Sequence, residues 1–406
     1  MKILHTADWH LGKRLENFSR IEEQRQVMQE IADIAERNAV DLVIIAGDLF
    51  DTFNPPIEAE ELFYRSLRQL SGNGKRPVVA LAGNHDSPDR IEAPEPLARE
   101  MGIFFAGYPS SEISPCTLEN GYSIMKSEPG FMEIQPPHAD HPLRILFTPY
   151  ANEFRLKSFL GTKDQEEAMR ELLQQQWNQQ AEKYCDNKGV NLLATHLFVM
   201  KEGQTTPEEP DDEKPILHVG GAQAIFTSNL PEQIQYTALG HLHRNHHVDK
   251  SERNIWYSGS PLSYSFSEAS QEKYVNLVTA EPGEKAIVER IKLQQGKPLI
   301  RKRFEDIDDA VSWLTENQNA LVELTIVADN YLTAEDRKKL QKAHPGIITI
   351  IPEIKNKQQV SNSRNINLQQ NMDELFKQYF KHYFGQEPNP ELLDLFKELQ
   401  AQKGQS

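Results

Sequence analysis

Of 406 residues only two are cysteine, Cys116 and Cys185, and neither stands near one of the polar segments described below. A disulfide framework and a thiolate zinc site are both disfavoured, and a reducing, cytoplasmic setting fits. No apolar run approaches the ~18 to 20 residues of a membrane span. The start, Met1-Lys2-Ile3-Leu4-His5, enters a strand-like run with no basic segment ahead of an apolar one, which argues against a signal peptide. Basic residues are in deficit, 44 Lys and Arg against 60 Asp and Glu, giving a formal net charge of −16. That balance is awkward for a chain that binds a polyanion alone, because phosphate neutralisation carries much of such affinity. Bound metal ions would add positive charge that the formal count omits.

What is present is a series of five short polar segments, each just past a strand-like run: Asp8-Trp9-His10, Gly47-Asp48, Gly83-Asn84-His85-Asp86, Thr195-His196 and Gly240-His241-Leu242-His243. The length allows two to three domains at roughly 150 residues each. Over the first 275 or so residues, strand-like runs alternate with helical stripes, as in an α/β layered fold. Strands are expected at residues 2–6, 41–46, 77–82, 143–148, 190–195 and 236–239. Helical stripes run through Val27, Met28, Ile31, Ile34 and Ala35, and through Ala59, Leu62, Phe63, Leu67 and Leu70. Because ligands of open α/β sheets bind at the carboxyl ends of the strands, the five segments are expected to converge on one edge.

Asp, His and Asn as the only candidate ligands describe a site for two metal ions, with manganese, iron or zinc better suited than calcium. In Asp8-x-His10 and His241-x-His243 the ligands stand at i and i+2, which on an extended chain face the same way. Asp48 can bridge two cations, Asn84 offers a neutral carbonyl oxygen, and His196 and His241 offer imidazole nitrogens. Two such ions clamp a phosphate and activate a water. His85 is spare in the ligand count and is the candidate general acid. Asp86 completes the candidate catalytic pair, either hydrogen-bonding the His85 imidazole or bracing the loop. For His5, His138, His141, His218, His344 and His382 the structural reading is preferred, and for His246 and His247 a supporting or surface role.

Residues 110–142 and the acidic stretch 203–215 read as solvated surface loops. Past residue 280 a smaller α+β unit is expected, with strands at 321–327 and 347–351 around a helix at 333–343. Residues 356–370 read as a polar linker. Two amphipathic helices follow. Leu375, Phe376, Tyr379, Phe380 and Tyr383 share one apolar face, and Leu392, Leu393, Phe396 and Leu399 share the other. Such a tethered hairpin either packs back on the body or docks on a partner helix, and its polar linker favours the partner.

The order of the five segments resembles the calcineurin-like metallophosphoesterase superfamily. The flanking text HTADWHLGK, IIAGDLFDTFNPP, ALAGNHDSPDR and GHLHR is similar to the nuclease subunits of bacterial SbcC–SbcD complexes, over nearly the whole chain. The resemblance implies a four-layer β-sandwich flanked by helices over residues 1–278, a small DNA-recognising capping domain over 279–355, a linker over 356–371, and a helical hairpin over 372–403 that grips the coiled coil of an SbcC-like ATPase. It implies two manganese ions, one held by Asp8, His10, Asp48 and His243, the other by Asp48, Asn84, His196 and His241, with His85 as the catalytic histidine. It also implies ATP-dependent 3′–5′ exonuclease action on duplex ends, endonuclease action on single strands and hairpins, roles in DNA repair and recombination, and a homodimer within a heterotetramer. The chain has no P-loop, so nucleotide would enter through the ATPase. Lys13, Arg14 and Arg90 are candidate DNA-backbone contacts. The competing readings are a phosphoesterase for a small diester or phosphoprotein, and a non-catalytic scaffold.

Overall fold

The computed structural model describes residues 1–157, 165–203, 224–248, 253–328 and 332–354, together with 375–377, 393 and 396. The acidic stretch 203–215, apart from Gly203, the linker and most of the hairpin lie outside the described residues, as do His218 and His382.

Two sheets stack face to face. One has six strands in the order Ile287–Lys292, Tyr274–Thr279, Lys2–Thr6, Leu42–Ala46, Val78–Leu81 and Ile103–Ala106. Its last four strands are parallel, and the first two are antiparallel additions. The other sheet has eight strands, with a parallel centre of Leu143–Thr148, Val190–Thr195, Tyr236–Leu239 and Ile255–Tyr257. Ile44, Val79 and Phe104 of the first sheet share one core with Phe147, Leu192 and Ala238 of the second. On the outer face of the first sheet, Val43 and Ile45 pack against Val27, Ile31, Leu62 and Phe63 from the helices Ile21–Arg37 and Ile57–Leu70. On the outer face of the second, Leu146 and Leu193 meet Met169, Leu173 and Trp177 of the helix Gln165–Tyr184. The result is helix, sheet, sheet, helix, the expected four layers. Every residue of Leu42–Ala46 is buried, because both faces of its sheet are covered.

Residues 110–142 differ from the expected surface loop. Cys116–Thr117, Ser123–Glu128 and Phe131–Gln135 extend the eight-stranded sheet as an antiparallel edge. Gly130, at φ +78, turns the chain between the two longer strands, and Phe131, Met132 and Ile134 are fully buried. These strands were obscured because their alternation is short and interrupted by Pro and Gly. Ile287–Lys292 pairs with Tyr274–Thr279, so the six-stranded sheet continues past residue 278, where the first domain was expected to end.

A three-stranded sheet follows, Leu299–Phe304, Leu321–Ala328 and Ile347–Ile354, with helices Ile307–Glu316 and Ala334–Ala343. Asp306 and Thr333 cap those helices with side-chain acceptors. Leu314, Val322, Leu324, Ile326 and Leu340 form its core. In the C-terminal unit, residues 375–377, 393 and 396 are helical, and the rings of Phe376 and Phe396 stack at 4.0 Å.

Candidate metal centre

The loops that leave the strands Lys2–Thr6 and Leu42–Ala46 are joined by backbone hydrogen bonds from Asp8 N–H to the Gly47 carbonyl (3.0 Å) and from His10 N–H to the Asp48 carbonyl (2.9 Å). The register sets Asp8, His10 and Asp48 side by side. Asp8, His10, Asp48 and His241 all carry positive φ, at 53, 43, 47 and 103°. Side chains other than glycine rarely adopt that backbone, and its concentration in one site marks strain held by the surrounding structure. The convergence of Asp8 with His10 and of His241 with His243 therefore comes from tight left-handed turns rather than from the extended chain expected.

Packing at the edge leaves no room for a side chain at three glycines, and at Gly240 a Cβ would lie 1.7 Å from the Ala46 carbonyl oxygen. A Cβ at Gly47 would lie 2.2 Å from His196 Nδ1, and one at Gly83 would lie 2.1 Å from Asp48 Oδ1. These close approaches bring the third and fourth segments against the second.

All seven expected ligands meet here. His10 Nε2 and His243 Nε2 face each other at 3.0 Å. Asp48 Oδ2 lies 3.5 Å from His10 Nε2 and 3.4 Å from His196 Nε2. Asn84 Oδ1 lies 3.1 Å from both His196 Nε2 and His241 Nδ1. Asp8 Oδ1 accepts the His241 backbone N–H at 2.8 Å. The liganding oxygens and nitrogens of Asp8, His10 and His243, and those of Asp8, Asp48 and His196, each fall within 4.8 Å of one another. Asp48 stands at the centre with an imidazole on either side.

The donor set fits divalent cations. Asp8 Oδ2 is buried without a hydrogen-bond partner, which is costly unless a cation or ordered water meets it. Burial pushes the Asp8 carboxyl up to about 7 and the His241 imidazole down to about 3. Burial also opposes the charged form of His196, but Asp48 and Asp8 beside it outweigh that and raise it to about 9. Asp48 is likewise opposed by burial, yet the neighbouring His196 and His85 hold it well below the usual carboxylate range.

His85 is half-buried beside this cluster, its ring edge-on to His10 at 4.9 Å between centroids. Its backbone N–H is donated to Asp48 Oδ1 (2.9 Å), and its Nδ1 is donated to the Asp51 carbonyl at 2.7 Å. Asp86, expected as part of the catalytic pair, makes no bond to the His85 ring. Its carboxylate accepts the backbone N–H groups of Leu49, Phe50 and Gly83 at 3.0, 2.9 and 2.7 Å. It is fully buried and braces two motif loops against each other. That is the second of its two alternatives, and the catalytic placement is corrected accordingly.

Several supporting residues were not singled out in the sequence. Asp51 orients His85 through its carbonyl and pairs with Lys13 at 2.8 Å. Buried Arg155 donates to the Gly83 and Asp86 carbonyls, both at 2.8 Å. Glu268 bonds His243 Nδ1, and although burial opposes its charge, Lys273 first and His243 next hold it at about 2. Of these only Asp51 lies in a stretch that carries the family resemblance, and the folded chain alone shows what each of them touches. The candidate backbone contacts are partly committed, Lys13 to Asp51 and Arg90 to Glu60. Of the histidines given structural roles, His5 is buried against the Tyr236 hydroxyl and His344 bonds the Asn317 carbonyl. His246 and His247 stack on Tyr257 and Trp256.

The sequence model of the calcineurin-like phosphoesterase family matches residues 1–245. The SbcD subunit of the SbcCD nuclease of Bacillus subtilis is 38% identical, over 98% of this chain and 97% of its own length. The SbcD subunits of the same nuclease from Rhodobacter capsulatus and Staphylococcus epidermidis are 30% and 28% identical, over 74% and 86% of this chain and 71% and 85% of theirs. With that extent of similarity, the chain belongs to the calcineurin-like phosphoesterases and, within them, to the SbcD family of SbcCD nuclease subunits.

Proposed function

We propose that this chain is the nuclease subunit of an SbcC–SbcD-type complex and hydrolyses DNA phosphodiester bonds with two manganese ions. The observation that carries the reading is Asp48 Oδ2 set between the imidazoles of His10 and His196, where it would serve as a ligand on both sides. Asp8, His10, Asp48 and His243 would hold one ion, and Asp48, Asn84, His196 and His241 the other. Bound there, the pair supplies Lewis acidity, polarising the phosphate and lowering the pKa of the attacking water.

The rest is done by the chain itself. Because the Asp51 carbonyl can only accept, His85 carries its hydrogen on Nδ1 when neutral. Its Nε2 is then the atom that takes up a second proton, and the resulting imidazolium gives that proton to the leaving oxygen and returns to the Nδ1–H form. Asp86 and Arg155 fix the loop that carries Asn84 and His85, so ligand and proton donor move as one piece.

The substrates implied are duplex ends, cut 3′–5′ in an ATP-dependent manner, and single strands and hairpins, cut internally in DNA repair and recombination. Nucleotide acts through an SbcC-like ATPase held by the C-terminal hairpin, the chain pairs as a homodimer within a heterotetramer, and the setting is cytoplasmic. The test compares end-labelled linear and hairpin DNA with a small aryl phosphodiester, in manganese, with and without the ATPase. Cleavage of DNA is expected. Hydrolysis of the small diester with DNA left intact under both conditions would overturn the reading in favour of another phosphoesterase.

A further inference from the structure

The imidazoles around the metal centre are not braced alike. His196 turns its Nδ1 to the backbone carbonyl of Ala46 at 2.8 Å. His243 instead turns its Nδ1 to a carboxylate, Glu268 Oε1, at 3.2 Å. Among the described residues, no other ligand imidazole has its Nδ1 hydrogen-bonded to a buried carboxylate. Glu268 is 2% exposed and ends the short helical turn Phe266–Glu268. It is fixed from several sides. Oε1 also accepts the Tyr264 backbone N–H at 3.0 Å, and Oε2 is paired with the ammonium of Lys273. Lys273 is itself 9% exposed and donates further to the Ser260 hydroxyl at 2.9 Å and to the His243 carbonyl at 3.1 Å.

A carboxylate behind a ligand imidazole does two things. It keeps the ring hydrogen on Nδ1, so the Nε2 lone pair faces outward, and it makes that nitrogen a better donor. Here Nε2 faces His10 Nε2 at 3.0 Å. Lys273 balances the Glu268 charge, which two buried groups require of each other. It also ties the backbone of His243, so ring and main chain are held by one pair.

We infer that Glu268 and Lys273 are a positioning pair that strengthens the metal position of His10 and His243 over that of Asn84, His196 and His241. This rests on the two-metal reading above. The consequence is an ordered site: the first ion binds on the His243 side, and the second position fills at higher concentration.

The full-length protein, stripped of metal, is titrated with Mn2+ and free ion is followed by electron paramagnetic resonance. Two binding steps of unequal affinity are expected. In Glu268→Gln the tighter step should weaken roughly 10- to 100-fold while the weaker step stays in place. The double variant Glu268→Gln with Lys273→Met, which removes both charges together, should show the same selective loss. Independently, nitrogen NMR of histidine in the metal-free wild type, with His243→Asn for assignment, should show His243 protonated at Nδ1. Unchanged binding steps in a folded variant, an equal loss at both steps, or an Nε2-protonated His243 would each overturn the pair's role. A wild type that takes up no Mn2+ would overturn the two-metal reading beneath it.

Discussion

At the scale of single residues, the candidate site divides into atoms proposed to face a cation and atoms that hold those in place. The first group was legible in the sequence. Asp8, His10, Asp48, Asn84, His196, His241 and His243 sit in motifs whose order and spacing single them out, and the structure brings all seven to one edge. The second group was not. Glu268, Lys273, Asp51 and Arg155 act through contacts made across long stretches of chain, and a lone Glu or Arg between motifs carries no local signal. Asp86 lay between the groups. Its neighbour His85 suggested catalysis, yet its carboxylate accepts three buried backbone N–H groups. Asp86→Ala should therefore cost about 3 kcal/mol or more, because each stranded donor costs roughly 1 to 3 kcal/mol. Denaturant unfolding of the metal-free protein measures this; a loss of activity with stability unchanged would contradict the bracing role.

Protons and metal compete for the same atoms. In the metal-free protein His196 is raised from 6.5 to about 9, so its charged form stabilises the fold below pH 6.5 and that contribution fades as pH rises through 9. Asp8, raised to about 7, holds its proton into the neutral range. Both must release protons to ligate, so Mn2+ affinity should climb from pH 6 towards 9 with proton release on binding. Calorimetry in buffers of different ionisation enthalpy reads that release. Affinity independent of pH, with no protons released, would contradict the electrostatic account.

At the scale of elements, the parallel strands were legible because burial on both faces gives continuous apolar runs such as Leu42–Ala46. The hairpin of Ser123–Glu128 and Phe131–Gln135 was not, since an antiparallel edge needs only a few buried residues and its Pro129-Gly130 turn reads like a loop. Nor did spacing reveal the backbone that joins the strands to the site. The turns after Lys2–Thr6, Leu42–Ala46 and Tyr236–Leu239 are left-handed at Asp8, His10, Asp48 and His241, something i and i+2 spacing does not encode. Gly47 combines a left-handed backbone with a close approach, at φ +89 with His196 Nδ1 2.2 Å from a hypothetical Cβ. Gly47→Ala should displace His196 or unfold the turn, lowering both melting temperature and Mn2+ stoichiometry. A variant that still binds two ions with the wild-type melting temperature would show that the close approach is dispensable.

At the scale of the whole molecule, the formal charge of −16 sets the metal edge in an acidic protein. Binding of DNA by this chain alone should be weak and strongly dependent on divalent ions, with the ATPase supplying the remaining affinity. The proposed function also divides labour between a catalytic body and a C-terminal unit that binds the ATPase. Truncation after Lys355 should leave metal-dependent cleavage of single strands in place while association with the ATPase is lost. Co-purification of the truncated chain with the ATPase would contradict that division.

The most direct test of the central claim, a two-metal nuclease with His85 as proton donor, pairs two readings on one variant. Wild type and His85→Ser are loaded with Mn2+, their metal content is measured, and cleavage of end-labelled linear and hairpin DNA is followed with the ATPase present. The account predicts two ions in both proteins and a 10²- to 10⁴-fold slower cleavage in the variant, as loss of a general acid gives. Equal cleavage rates in wild type and variant, with metal content equal, would contradict it.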